Sequence, residues 1–431
     1  MPRILDEITQ DRVEISATEM KKMSYPGLRS IFFLVAAWCM YSRAPQLLAD
    51  PRFWAEEGSR YFRYATENGF WTTLFFLDPR AGYLDVTRHF SAGLASLVPL
   101  GYAPYVTTGI AFLLQLMPCW ILIFGNSKVF DDYWKRAGAC VIILFAPSLI
   151  DEVWVNTINS MTWYGLIAFL ILTEDLTLAP RWRSNFYRSL LAVGALSGPY
   201  VCMLLPAYGL VAFRERTRAT VANVGILGMA IIIHSLVLIY FFYSGELNEK
   251  RFGAFNLTEV LYAVFWDHVA TPIIGREAIQ HLTGLPFGLS VFLLVSTALA
   301  VSAGIYVYRL RIQFWCNNWL IGVSWLCFSA GTAVSSFNHH TLGRYGVLPG
   351  WLLLFFLLNL SRNPNTKSIR FLAAGVLTVA LAVGLSNFRL EGRTECDGDS
   401  WAHDISVGGG EGILDIPICP EGWRVKIPEQ Q

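Results

Sequence analysis

The chain has 431 residues, of which 54% are hydrophobic and only 15% charged, with a formal net charge of +1. Soluble globular chains carry roughly 25% charged residues, so an ordinary soluble domain is excluded, and the balanced charge gives no reason to expect a nucleic acid partner. Repeated apolar runs, with 15 Trp, 18 Tyr and 29 Phe, point to an all-α polytopic membrane protein.

In chain order, residues 1–29 are too long and too acidic for the basic leader of a signal peptide and read as a cytoplasmic tail. Residues 30–386 form the transmembrane domain, with about 11 helices predicted at 30–47, 104–124, 137–150, 160–174, 188–198, 200–213, 220–243, 286–308, 318–335, 346–361 and 369–386. The fifth and sixth are short and divided at Pro199, which lacks an amide proton and disfavours helix at the residue before it, and a paired half-helix dipping into the membrane fits the same pattern equally well.

Charge orients these spans. With the N-terminus inside, the inner segments 1–29, 125–136, 174–188, 214–219, 309–317 and 362–370 hold 19 of the 33 Lys and Arg residues. Their basic density is roughly three times that of the outer segments, as the positive-inside rule requires. The outer side then carries a first loop, 48–103, a second large loop, 244–285, and a C-terminal tail, 387–431. "GYLDVTRHFSAGLASLVPLGY" in the first loop is amphipathic and predicts helices lying on the membrane surface. The tail has no helical period and alternates polar with apolar residues, which predicts a small strand-rich cap. Cys396 and Cys419 both lie in this tail, where an oxidising exterior favours a disulfide closing a loop of about 24 residues.

Ionisable residues gather on the outer side. "FWAEEGSRYF" sets Glu56 and Glu57 among aromatic rings just past the first span, and acids held against a bilayer are functional candidates by default. Adjacent carboxylates on a helix face different ways, so one can enter a cavity while the other pairs with Arg52, Arg60 or Arg63. A carboxylate beside aromatic surface suits a general base. Asp78, Asp85, Arg88 and His89 follow in "DPRAGYLDVTRHF", where the Arg88 guanidinium fits an anionic group.

"APSLIDEVWVNTINSMTW" supplies a second outer acid pair, Asp151 and Glu152, with Asn156, Asn159 and Trp163. Facing the first pair, it would make a polar cavity rimmed by aromatics, suited to a sugar or to a divalent cation held by oxygen ligands. "SSFNHHTLGRYGVLPG" crowds His339, His340, Arg344 and Tyr345 into one outer turn, and Arg344 there suits a lipid phosphate. The second large loop scatters His268, Arg276, Glu277 and His281 without a telling spacing, and His234 alone on an apolar helix reads as a core residue. No P-loop, HExxH or CxxC is present, which argues against a cytosolic nucleotide cofactor.

The order of an inner N-terminus, one span, an outer loop opening on "FWAEEG", a second acidic outer loop and many further spans resembles the GT-C superfamily. These are integral-membrane glycosyltransferases that use polyprenyl-phosphate-linked sugars. More narrowly, "PRFWAEEGSRYFRYA…GYL…R" looks like a bacterial group near O-antigen glucosyltransferases, with an acid at the Glu57 position. The resemblance implies a periplasmic-face active site in the bacterial inner membrane, with the catalytic carboxylate at Glu57 or, in the alternative, Glu56. It also implies donor or metal contacts from Asp151 or Glu152, with Glu57 as a further ligand if Mg or Mn is bound. Phosphate contacts would come from Arg344 and Arg88, with Asn159, Tyr345 and His340 lining the substrate. The implied partners are the lipid-linked sugar, a glycan or lipid acceptor and membrane lipids, with a polyprenyl-phosphate sugar synthase and a small flippase as expected genomic companions. A transporter or flippase of a lipid-linked sugar is the alternative, but acids are nearly absent from the spans and no inverted repeat is evident.

Overall fold

The computed structural model describes residues 26–147, 151–246, 260–261, 264–283, 313–335, 343–362, 367–390, 396, 399–410 and 412–428. The described chain is mostly helical: α1 Pro26–Arg43, α2 Arg63–Leu74, α3 Val86–Ala95, α4 Ala103–Phe124, α5 Tyr133–Phe145, α6 Ser160–Thr173, α7 Arg181–Ala195, α8 Leu205–Glu215, α9 Arg218–Ser244, α10 Gln313–Ser335, α11 Val347–Ser361, α12 Lys367–Ser386 and α13 Trp401–Val407. A π-helical turn, Glu57–Phe62, leads into α2. Every predicted helix other than 286–308, which lies outside the described residues, has a counterpart here.

Among the described residues, four helical stretches are long and apolar enough to cross a membrane: Leu100–Phe124, Arg218–Ser244, Gly343–Ser361 and Lys367–Ser386. Their burial divides them. The most apolar stretches of α9 and α12 are only 22% and 17% buried, leaving Ile232, Leu236, Phe242, Phe371 and Leu372 on the surface. Water does not tolerate apolar patches of that extent, whereas hydrocarbon covers them without penalty. The protein is accordingly a membrane protein with α9 and α12 at its periphery. At the centre, every residue of α6 is buried. Its 14 residues rise only about 21 Å, short for a lone span, but its backbone meets protein on all sides.

The two sets of loops separate to opposite ends of the helices. Segments 125–136, 174–188 and 214–219 meet at one end, where Lys128 pairs with Glu215 at 2.6 Å and the Glu174 carboxylate accepts from Asn126 N at 2.7 Å. The first loop, the 151–159 turn, Gly343–Gly346 and the C-terminal cap meet at the other.

The amphipathic stretch of the first loop packs on its polar side: Thr87, Arg88, His89 and Ser91 of α3 are buried against α2 and α4, while Phe90 and, just beyond the helix, Leu97 are exposed. Polar groups turn inward and apolar ones outward, the reverse of a soluble amphipathic helix, as a lipid-covered surface demands. The C-terminal tail is strand-rich as expected, but it also holds a helix that its sequence did not suggest: α13 begins where the Ser400 side chain caps the amide of His403 at 3.2 Å. Beyond it, β1 Gly409–Gly410, β2 Ile413–Ile418 and β3 Trp423–Pro428 form a small antiparallel sheet in that order.

This cap is not an appendage. Ile416, Ile418, Val425 and Ile427 share a second core with Phe53, Phe62 and Trp401, separate from the core of the helical bundle. Cys396 and Cys419 are joined by a disulfide with Cα atoms 4.7 Å apart. The Cys419 amide donates to Phe53 O at 3.1 Å and its carbonyl accepts from Ala55 N. Gly58 permits the contact, since a Cβ there would lie 2.7 Å from that of Phe53 and 3.0 Å from Ile418 Cδ1.

Candidate active site

A cavity of about 640 Å³ opens at the end of the helices where the first loop, the 151–159 turn, Gly343–Gly346 and the C-terminal cap converge. The stripe Glu56, Ser59, Arg60, Arg63, Tyr64 and Glu67 forms one wall, at the three- and four-residue spacing of a helix face. Phe76, Asp78, Arg80, Tyr83 and Arg88 form a second, and Ile158, Met161, Arg344, Tyr345 and Trp423 complete the lining. The acid pair therefore splits. Glu56 faces the cavity and, among the described residues, takes part in no ion pair.

Glu57 is turned the other way, which corrects its expected place in the cavity. It is 1% exposed, and its Oε1 accepts from Thr157 N at 2.9 Å and from the Thr157 hydroxyl. Its Oε2 accepts from Trp54 N at 3.2 Å. A carboxylate taking three donors in a buried turn ties the first loop to the 151–159 segment. The backbone is strained on both sides of the tie: Ala55 has φ 47° and the β-branched Val155 has φ 51°. Left-handed conformations at such residues persist only where surrounding structure enforces them, and they collect at functional sites.

The arginines are held in a relay. Asp85 caps α3, accepting from the Arg88 amide at 3.0 Å, and its Oδ2 pairs with Arg88 Nη2 at 3.0 Å. Arg88 donates to Tyr61 Oη at 2.9 Å and to Ile158 O at 2.8 Å. Tyr61 in turn donates to Asp78 Oδ2 at 2.6 Å, and the other oxygen of Asp78 pairs with Arg60. Burial raises Asp85 to about 6 against the pull of Arg88. Burial also drives His89 down to about 3, with neither ring nitrogen hydrogen-bonded. Arg344 pairs with Glu152 at 2.6 Å and lies over the ring of Tyr345. Arg80 has no ion pair among the described residues, and arginines outnumber carboxylates around the cavity. Such a site attracts an anion.

A second cavity of about 430 Å³ adjoins it, lined by Thr72, Phe75, Leu77, Tyr240, Phe241 and Glu246 together with Tyr64 and Phe76. Tyr64 and Phe76 line both cavities, their rings stacked 4.0 Å apart. The basic cavity and the aromatic one thus share a single wall.

Of the residues expected at the site, Glu56, Arg88, Arg344 and Tyr345 line the cavity. Asn159 does not; it is buried, and its side chain donates to Glu152 O at 3.0 Å within its own turn. Asp151 and Glu152 stand behind the cavity, Asp151 near the buried Arg43 and Glu152 on Arg344. His340 lies outside the described residues. The oxygens expected to hold a divalent cation, on Glu57, Asp151 and Glu152, do not converge: Glu57 is occupied by Thr157 and Trp54, and Glu152 by Arg344. Among the described residues no group of three or more His, Cys, Asp or Glu side chains forms a metal-binding cluster. Sequence reasoning missed Tyr61, Tyr64, Phe76 and Trp423, whose roles depend on contacts between distant segments. Compared with known proteins, the chain matches no family model and no curated protein.

Proposed function

We propose that the protein is a membrane glycosyltransferase of GT-C type, moving a sugar from a polyprenyl-phosphate-linked donor to a cell-envelope glycan or lipid acceptor at the outer face of the bacterial inner membrane. The observation that carries this reading is the shared Tyr64–Phe76 wall, which sets an arginine-lined cavity beside an aromatic one. An anionic headgroup on a hydrocarbon chain needs that pairing of environments. The aromatic cavity abuts Tyr240 and Phe241, at the C-terminal end of the lipid-exposed α9, so the chain reaches it from the bilayer. The positive-inside reading of the sequence, with a cytoplasmic N-terminus and about eleven spans, supports a periplasmic position for the cavity.

In the mechanism, Glu56 takes the proton from an acceptor hydroxyl, whose oxygen attacks the anomeric carbon. The bond to the lipid phosphate oxygen breaks on the opposite face, so the product has inverted configuration. Arg88, held by Asp85 and Tyr61, and Arg344, held by Glu152, stabilise the departing phosphate. Fixing these guanidiniums in advance removes the reorganisation that solvent would otherwise require. Glu57 positions Glu56 by locking the turn that carries both.

The test is transfer by purified full-length protein in lipid nanodiscs, given a polyprenyl-phosphate hexose and a hydroxyl acceptor. The reading requires a new glycosidic bond of inverted anomeric configuration, identified by NMR. Protein that only moves the intact lipid across the bilayer is a flippase.

A further inference from the structure

The C-terminal cap contributes one residue to the cavity, Trp423. Along β3, Trp423, Val425 and Ile427 fall on one face by the two-residue period of a strand. Val425 and Ile427 are buried in the second core, 0% and 2% exposed, whereas Trp423 is 36% exposed. The strand has run past the edge of its core, and the indole overhangs the cavity beside the turn bearing Glu56. Its position is fixed from several directions. Trp423 pairs with Ile418 at the mouth of the hairpin, and its amide donates to Pro420 O at 3.2 Å. The hairpin turn begins at Cys419, whose backbone is bonded to Phe53 and Ala55 and whose sulfur is held by Cys396. A large aromatic group carried on so firmly held a backbone at the rim of a polar cavity suits a ligand that has an apolar face and a hydroxylated edge.

We infer that Trp423 is the carbohydrate-contact residue of the site, packing its indole against the C–H face of a pyranose ring. The ring's hydroxyls would then point to the polar wall of Arg60 and Asp78. The inference rests on the lipid-linked sugar reading, and the same chemistry serves either the donor sugar or the terminal sugar of the acceptor. The cap thereby becomes part of the active site.

Full-length protein in nanodiscs is titrated calorimetrically with three probes: a polyprenyl monophosphate, the same lipid carrying a hexose, and a soluble hexose oligosaccharide. Trp423→Leu keeps an apolar side chain but removes the flat face. It weakens the hexosyl lipid about tenfold if the donor ring is held, or the oligosaccharide about tenfold if the acceptor ring is held. It leaves the monophosphate within about twofold and the thermal midpoint unchanged, and Trp423→Phe restores most of the loss. Binding of both saccharide probes at wild-type strength by Trp423→Leu overturns the inference, as does an equal loss for the monophosphate. Wild-type protein that binds neither lipid overturns the donor reading itself, and the inference with it.

Discussion

Glu57 and Thr157 lie one hundred positions apart in the chain and are joined by two hydrogen bonds in a buried turn, the amide bond at 2.9 Å. This tie fixes the first loop against the 151–159 turn. It also decides which acid of the Glu56–Glu57 pair meets the cavity.

Removing the tie should cost stability. Glu57→Ala leaves the donors of Trp54 and Thr157 buried without their acceptor, at a cost of roughly 2–4 kcal/mol. Glu57→Gln keeps an amide oxygen in place and should cost about 1 kcal/mol. Denaturant unfolding of the two variants in the same detergent checks the order. Equal stability of wild type and Glu57→Ala would mean that the Glu57–Thr157 bonds do not hold the two segments together.

The acid pair shows what the sequence made legible. The gathering of acids in loops at one end of the bundle follows from their positions between apolar runs, and the helices follow from the lengths of those runs. The choice between the two glutamates was also encoded. Glu56, Arg60, Arg63 and Glu67 make a polar helix face, while Glu57, Tyr61 and Ala65 make the buried one. The resemblance directed attention to Glu57 over that periodicity. What no local pattern could convey is pairing at long range: Tyr61 on Asp78, Tyr64 on Phe76, and Cys419 on Ala55. The short helix α13 escaped because its seven residues are too few for a period to register.

His89 should make the site acid-sensitive. Its ring lies near Tyr61 and Phe76, and burial, reinforced by Arg88 and opposed by Asp78, depresses it to about 3 from an ordinary 6.5. The folded protein therefore holds the neutral ring where the unfolded chain would take up a proton. The stability this contributes is fully present above pH 6.5 and is lost as pH falls toward 3, by at most about 1.4 kcal/mol per pH unit. Thermal midpoints between pH 7 and 4.5 should fall more steeply for wild type than for His89→Phe. Parallel slopes would contradict the assignment.

The disulfide should matter to the cavity as well as to the cap. Cys419 carries the backbone bonds to Phe53 and Ala55 that seat the glutamate turn. Replacing Cys396 and Cys419 by Ser together should lower stability by about 3 kcal/mol and lower the transfer rate, with a matching loss in wild-type protein under a reductant. A double variant with full rate would separate the cap from the site.

In the proposed reaction Glu56, not Glu57, is the base facing the acceptor. Single-turnover transfer from a polyprenyl-phosphate hexose, measured for wild type, Glu56→Gln and Glu57→Gln, tests it most directly. Glu56→Gln should lose about a hundredfold or more with donor affinity retained, and Glu57→Gln should stay within about tenfold. A Glu56→Gln variant that transfers at the wild-type rate while Glu57→Gln is inactive would contradict it.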